Sequence, residues 1–225
     1  SDFLASSLNV TSGTVTLQGQ VTTATFRNAG SVVLSNGMHI LSGYDTDSLS
    51  RLGGSGFLEL GGTLANTAKV LDLAHAPGLK IWALGTIVGG TVRGVDGTGF
   101  FDAALSAVDW QGPLTVNGGT VTVRDGLTVT DLDGIGPGRM TMTSGVISFA
   151  GTQSLDGLTI SLIDAPHVTT SGRLRLGAGV TIVAALSGLA GAALGGTGTI
   201  DSAATIQVAG SQDSGPSTLY CLLYT

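Results

Sequence analysis

One ten-residue pattern occurs four times in this chain and constrains its fold more than any other feature. It spans residues 8–17, 114–123, 140–149 and 174–183. Two apolar residues stand at alternate positions: Leu8 and Val10, Leu114 and Val116, Met140 and Met142, Leu174 and Leu176. A short, mostly small or polar pair follows, then a glycine at the sixth position: Gly13, Gly119, Gly145 or Gly179. A second short apolar run closes the unit. Alternation at a period of two is the signature of a strand with one buried face. A glycine where that alternation breaks reads as a corner that needs a left-handed backbone or a close approach between chains. Each unit is therefore strand, tight corner, strand.

Spacing decides how such units assemble. Apolar pairs at Leu114/Val116, Val121/Val123 and Leu127/Val129 succeed one another every six or seven residues. Hairpins could use that spacing. However, the copies are separated by inserts of unequal length, such as residues 131–138 and 184–196. A closed barrel needs matched strand shear, which leaves little room for irregularity. A solenoid only asks each coil to stack on its neighbours, so it accepts inserts at corners. The predicted fold is all-β: a single-stranded, right-handed parallel β-helix of roughly nine to eleven coils, each of about 20–25 residues. Residues 1–210 form this repeat domain. Residues 211–225 are a loop followed by an apolar tail, a possible cap. Residues 102–108 and 184–194 can be read either as local helix or as strand with an insert.

Composition fits that architecture and excludes others. Gly fills 37 of 225 positions, charged residues make up 11%, and aromatics 5%. Hydrophobic residues reach 42%, too many for a disordered chain. Five prolines and irregular glycine spacing exclude collagen. Glu59 is the sole glutamate and Lys69 and Lys80 the only lysines, which excludes a coiled coil. Stacked like charges repel, so a solenoid strand is charge-poor. The net charge of −6, with no basic run, argues against a nucleic-acid partner, which needs a basic stripe. No stretch is long and apolar enough for a transmembrane helix. A lone Cys221 permits no intrachain disulfide, and it lies in an apolar setting that reads as packing. The opening Ser1-Asp-Phe-Leu lacks a basic leader and reads as a section of a longer chain.

The units around Gly13, Gly119, Gly145 and Gly179, with residues 151–160, resemble the Gly/Thr/Val-rich repeats of large secreted bacterial proteins. Among these are autotransporter passengers and filamentous-haemagglutinin-like adhesins. The resemblance implies an extracellular or cell-surface β-helix, non-catalytic, serving as a stalk or adhesive scaffold. A host or neighbouring cell-surface glycan or protein is a possible partner, and uncapped ends would expose strand edges that allow self-association by coil stacking into a filament.

Little chemistry competes with that reading. His39, His75 and His167 lie apart, with no metal-ligand spacing. No Gly-x-Ser-x-Gly string and no nucleotide-binding loop is present. No cofactor is expected. Residues 195–201 hold the glycines of a calcium-binding nonapeptide, but Asp201 comes one place late and the string occurs once. Weak calcium candidates are Asp45 with Asp47, and Asp131 with Asp133, as hard oxygen donors. Regular Thr-x-Thr ladders could order ice, but here their spacing is irregular. The alternative function is a carbohydrate-active module that binds or cleaves a glycan along one face. Its residues would be Asp131 and Asp133, on one side of an extended segment, and Asp109, beside Trp110 as a sugar platform.

Overall fold

In the computed structural model the described residues are 3–94, 98–100, 102–186, 192–210 and 219–221. About two thirds of them belong to strands, most of them short, and every pairing between the named strands is parallel. A chain that pairs only in parallel must travel around and return between rungs. Here it does so about ten times, giving a β-solenoid. The predicted β-helix is what forms.

The strands fall into three ladders, hence three faces. The first runs from Phe3–Val10 through Val21–Asn28, Gly37–Ile40, Phe57–Leu60, Lys80–Ala83 and Thr98–Phe100. It continues through Pro113–Thr130, Gly138–Phe149, Leu158–Ile163 and Thr181–Leu186 to Thr205–Gly210. A second face includes His167–Thr170 and Ala192–Gly196. A third includes Thr14–Leu17, Ser31–Leu34, Thr152–Leu155, Arg173–Leu176 and Thr199–Ser202. Pro113–Thr130 crosses all three faces, bending at Gly119 and Gly126 with φ of +58° and +108°. Coil length is uneven: Gly99 pairs with Thr115, but Pro113 pairs with Arg139.

Within each strand the alternation sorts residues. On the first face one inward column reads Thr23, Ile40, Leu60, Ala83, Phe100, Val116, Met142, Leu162 and Ala184. Every member is buried. Burying each large aliphatic side chain contributes about 1.5–3 kcal/mol. Small Ala83 precedes large Phe100, whose ring meets Trp110 edge-on at 5.1 Å. Thr23 is tolerated inside because its hydroxyl donates to the Thr25 carbonyl at 2.8 Å. The corners carry buried polar rivets. Asn66 accepts from the Thr46 hydroxyl at 2.7 Å and donates to the carbonyls of Thr91, at 3.0 Å, and Gly89, at 3.3 Å. It thereby ties three successive coils together.

Two segments that the sequence leaves open between helix and strand are strands where they are described. Residues 103–111 form a strand, Ala103–Gln111, and not a helix. Its apolar positions alternate and bury inward, and Ala107 at φ +56° marks the bend between two faces. Thr181–Leu186 and Ala192–Gly196 are likewise strands, and residues 187–191 lie outside the described set. In the tail, Leu219–Cys221 pairs in parallel with Ala192–Gly196 and adds a rung to the second face. Residues 211–218 and 222–225 and the Cys221 side chain lie outside the described set. One helical turn, Thr46–Leu49, replaces a strand on the second face. Asp45 caps it by accepting from the Ser48 amide at 2.8 Å. Among the described residues no helix is long and apolar enough to cross a membrane.

Candidate functional site

The carboxylates singled out from the sequence stand on a strand of the third face and in the loop that leaves the next coil beside it. Asp131 and Asp133 stand in a loop, residues 131–137, that leaves the third face and returns to the first. The segment is not extended, so their spacing does not set them side by side on a strand. Both carboxylates turn into the loop itself. Asp131 accepts from the amides of Gly136, at 3.0 Å, and Ile135, at 3.3 Å, while Asp133 accepts from Ile135 at 2.9 Å. The Asp131 carboxyl is held below the ordinary carboxylate range. A side-chain hydrogen bond with Asp133 lowers it most, desolvation opposes this, and the amides of Gly136, Ile135 and Asp133 lower it further. Asp131 also lines a groove of about 380 Å³ with Leu132, Pro137, Arg139 and Thr159.

Asp109 lies on the flat of the third face, where Thr91 Oγ1 and Gln111 Nε2 donate to it at 3.5 and 3.4 Å. Trp110, next in the strand, points the opposite way because side chains alternate. It is fully buried, and its indole N–H donates to the Pro113 carbonyl at 3.2 Å. Trp110 is therefore a core residue, with no ring face for a sugar. Asp109 is in register with Thr128 and Gln111 with Thr130, so Asp109 lies one coil from the strand that runs into Asp131.

The calcium candidates Asp45 and Asp47 are already engaged. Asp45 caps the helical turn and faces Arg27 at 3.5 Å, and Asp47 meets Lys69 at 3.0 Å. Burial raises the Asp45 carboxyl, but the Ser48 hydrogen bonds with the Arg27 and Lys69 charges outweigh it and hold it low. Among the described residues no group of three or more His, Cys, Asp or Glu could hold a metal ion.

The corner glycines divide by cause. Gly13, Gly119 and Gly145 have φ of +75°, +58° and +84°. Gly179 is not left-handed. Its place is set by Asp156, whose Oδ1 accepts the Gly179 amide at 2.9 Å and would lie 2.6 Å from an added Cβ.

A constellation that the sequence reading missed lies on the outward side of the first face. Gly37–Ile40, Phe57–Leu60 and Lys80–Ala83 are successive rungs. Their outward positions carry His39, Glu59 and Trp82 in one register row, with Phe57 and Lys80 in the next. His39 Nε2 lies 3.3 Å from Glu59 Oε1, and their side chains are 31% and 28% exposed. Phe57 and Trp82 meet edge-on with centroids 5.6 Å apart. The same row elsewhere holds Thr22, Gly99, Thr115, Thr141, Ser161 and Val183. The signal was present as the only Glu and one of two Trp on out-in-out-in strands. Unequal coil lengths hid that they share a row.

A second polar surface lies on the third face. There Arg173 pairs with Asp201, and both line a groove of about 690 Å³ with Arg175, Thr152, Gln153 and Ser154. No known protein family, curated protein or solved structure matches the chain.

Proposed function

We propose that this chain is a section of a secreted or cell-surface protein and serves as a rigid, non-catalytic stalk or presentation scaffold. The observation that supports this best is the run of three parallel ladders through about ten turns. Each coil is held by backbone hydrogen bonds and by an apolar column shared with its neighbours. Such an object resists bending and gains length in steps of about 4.8 Å, so this section contributes about 48 Å. The first and last rungs pair on one side only among the described residues. Phe3 and Leu4 at one end, and Ile206 and Val208 at the other, are exposed. The resemblance of its repeat units to those of autotransporter passengers and haemagglutinin-like adhesins points the same way.

Two measurements test the proposal. Antibody against the chain should label intact cells of its source, and small-angle scattering of the isolated chain should show a rod about 45–50 Å long. Labelling that requires lysis would remove the surface assignment, and a spherical envelope would remove the stalk.

A further inference from the structure

We infer that the outward side of the first face, at Phe57, Glu59, Trp82, His39 and Lys80, is a binding site for a neutral hexopyranose polysaccharide. Three features converge. The first is an aromatic platform. Trp82 stands outward on its strand, buttressed edge-on by Phe57 at 5.6 Å. Its register neighbour in the next coil is Gly99, where an added Cβ would meet nothing within 4 Å. Gly99 therefore sets no side chain of its own against the indole. A pyranose presents a patch of C–H groups on one face, and an aromatic ring accepts that patch while sparing the hydroxyls.

The second feature is hydrogen-bonding capacity next to the platform. Glu59 is the register partner of Trp82 on one side and of His39 on the other. Adjacent rungs lie about 4.8 Å apart, so a ring resting on Trp82 brings its hydroxyls within reach of the Glu59 carboxylate. A carboxylate accepts strongly from hydroxyls. His39 and Lys80 add nitrogen partners at the rim.

The third feature is contrast. Along the rest of this row the outward residues are mostly Thr, Ser and Gly, which suit a solvated face. In a chain with 5% aromatics and 11% charged residues, these five side chains gather on three consecutive rungs.

The chemistry points to binding. Cleavage of a glycosidic bond ordinarily uses two carboxyls, roughly 5–9.5 Å apart. Glu59 is the only carboxylate on the rungs Gly37–Ile40, Phe57–Leu60, Lys80–Ala83 and Thr98–Phe100. It also disfavours a uronate in the same place, which selects a neutral sugar. This site does not depend on the stalk assignment.

The test uses the intact chain in affinity electrophoresis and pull-down against cellulose, chitin, β-1,3-glucan and mannan, with polygalacturonate as the acidic arm. Binding to at least one neutral polymer is expected. Trp82→Ala should weaken it about tenfold or more, and the near-isosteric Glu59→Gln several-fold. Arg175→Ala, on the third face, should leave it unchanged. Circular dichroism reports whether each variant is folded, and Glu59→Gln keeps the test decisive if Trp82→Ala is not. Absence of binding to every neutral polymer overturns the inference. So does undiminished binding by both first-face variants, or binding confined to polygalacturonate.

Discussion

Tyr44 illustrates how one side chain ties stability to pH. It is buried, and its hydroxyl donates to the Gly61 carbonyl at 2.6 Å. Desolvation pushes the phenol up to about 12. In the unfolded chain a tyrosine titrates near 10. Between those values the unfolded state loses its proton while the folded state keeps it. Tyr44 therefore supports the fold fully below pH ~10 and loses that support as pH rises toward ~12, by about 3 kcal/mol. Urea unfolding of wild type and Tyr44→Phe at pH ~9 and ~12 should show a steeper loss in wild type. Equal slopes would place the Tyr44 phenol in a more solvated setting. At this scale the sequence was legible unevenly. It marked Trp110 as an aromatic beside a carboxylate. Whether such a ring faces sugar or core depends on the parity of its position in the strand, and Trp110 falls on the inward parity.

Among the elements, corners carry more information than strands. Gly151, Gly172 and Gly198 stack at one corner of successive coils. A Cβ on Gly172 would be driven into the Gly151 carbonyl oxygen, and a Cβ on Gly198 into that of Gly172. The crowding is between backbones, which cannot rotate away. Gly172→Ala should cost about 1–3 kcal/mol in thermal or urea unfolding. Gly53→Ala, at a position with nothing within 4 Å and no positive φ, should be close to neutral. If the two variants behave alike, corner crowding is not what selects glycine here. The strand-corner-strand unit could be read directly, because alternation and glycine placement are local. The helical turn at Thr46–Leu49 could not. Its Asp45 cap and buried Thr46, Ser48 and Leu49 make sense only against Asn28 and Asn66 in flanking coils.

The whole molecule behaves as a stack of neighbours. Interior coils are supported on both sides and the end coils on one, so stability should grade along the axis. Hydrogen exchange should find the amides of Phe57–Leu60, Leu105 and Val121–Val123 the slowest. Those of Phe3–Val10, Thr14–Leu17 and Thr199–Ser202 should exchange at least about tenfold faster. Uniform protection from end to end would show that the solenoid opens as one unit instead. The first-face constellation also belongs to this scale. Gly37 pairs with Phe57 and Phe57 with Lys80, steps of unequal length. No fixed period in the sequence aligns His39, Glu59 and Trp82.

The sequence by itself determined that the chain winds as a parallel solenoid. Apolar alternation, corner glycines and scarce charge are each local and point to that one packing. Which outward residues share a row was decided only by the tertiary structure. Register between coils depends on the length of every insert, and each insert's path is set by what it packs against. For that reason Glu59, Trp82 and His39, far apart in the chain, meet on one face.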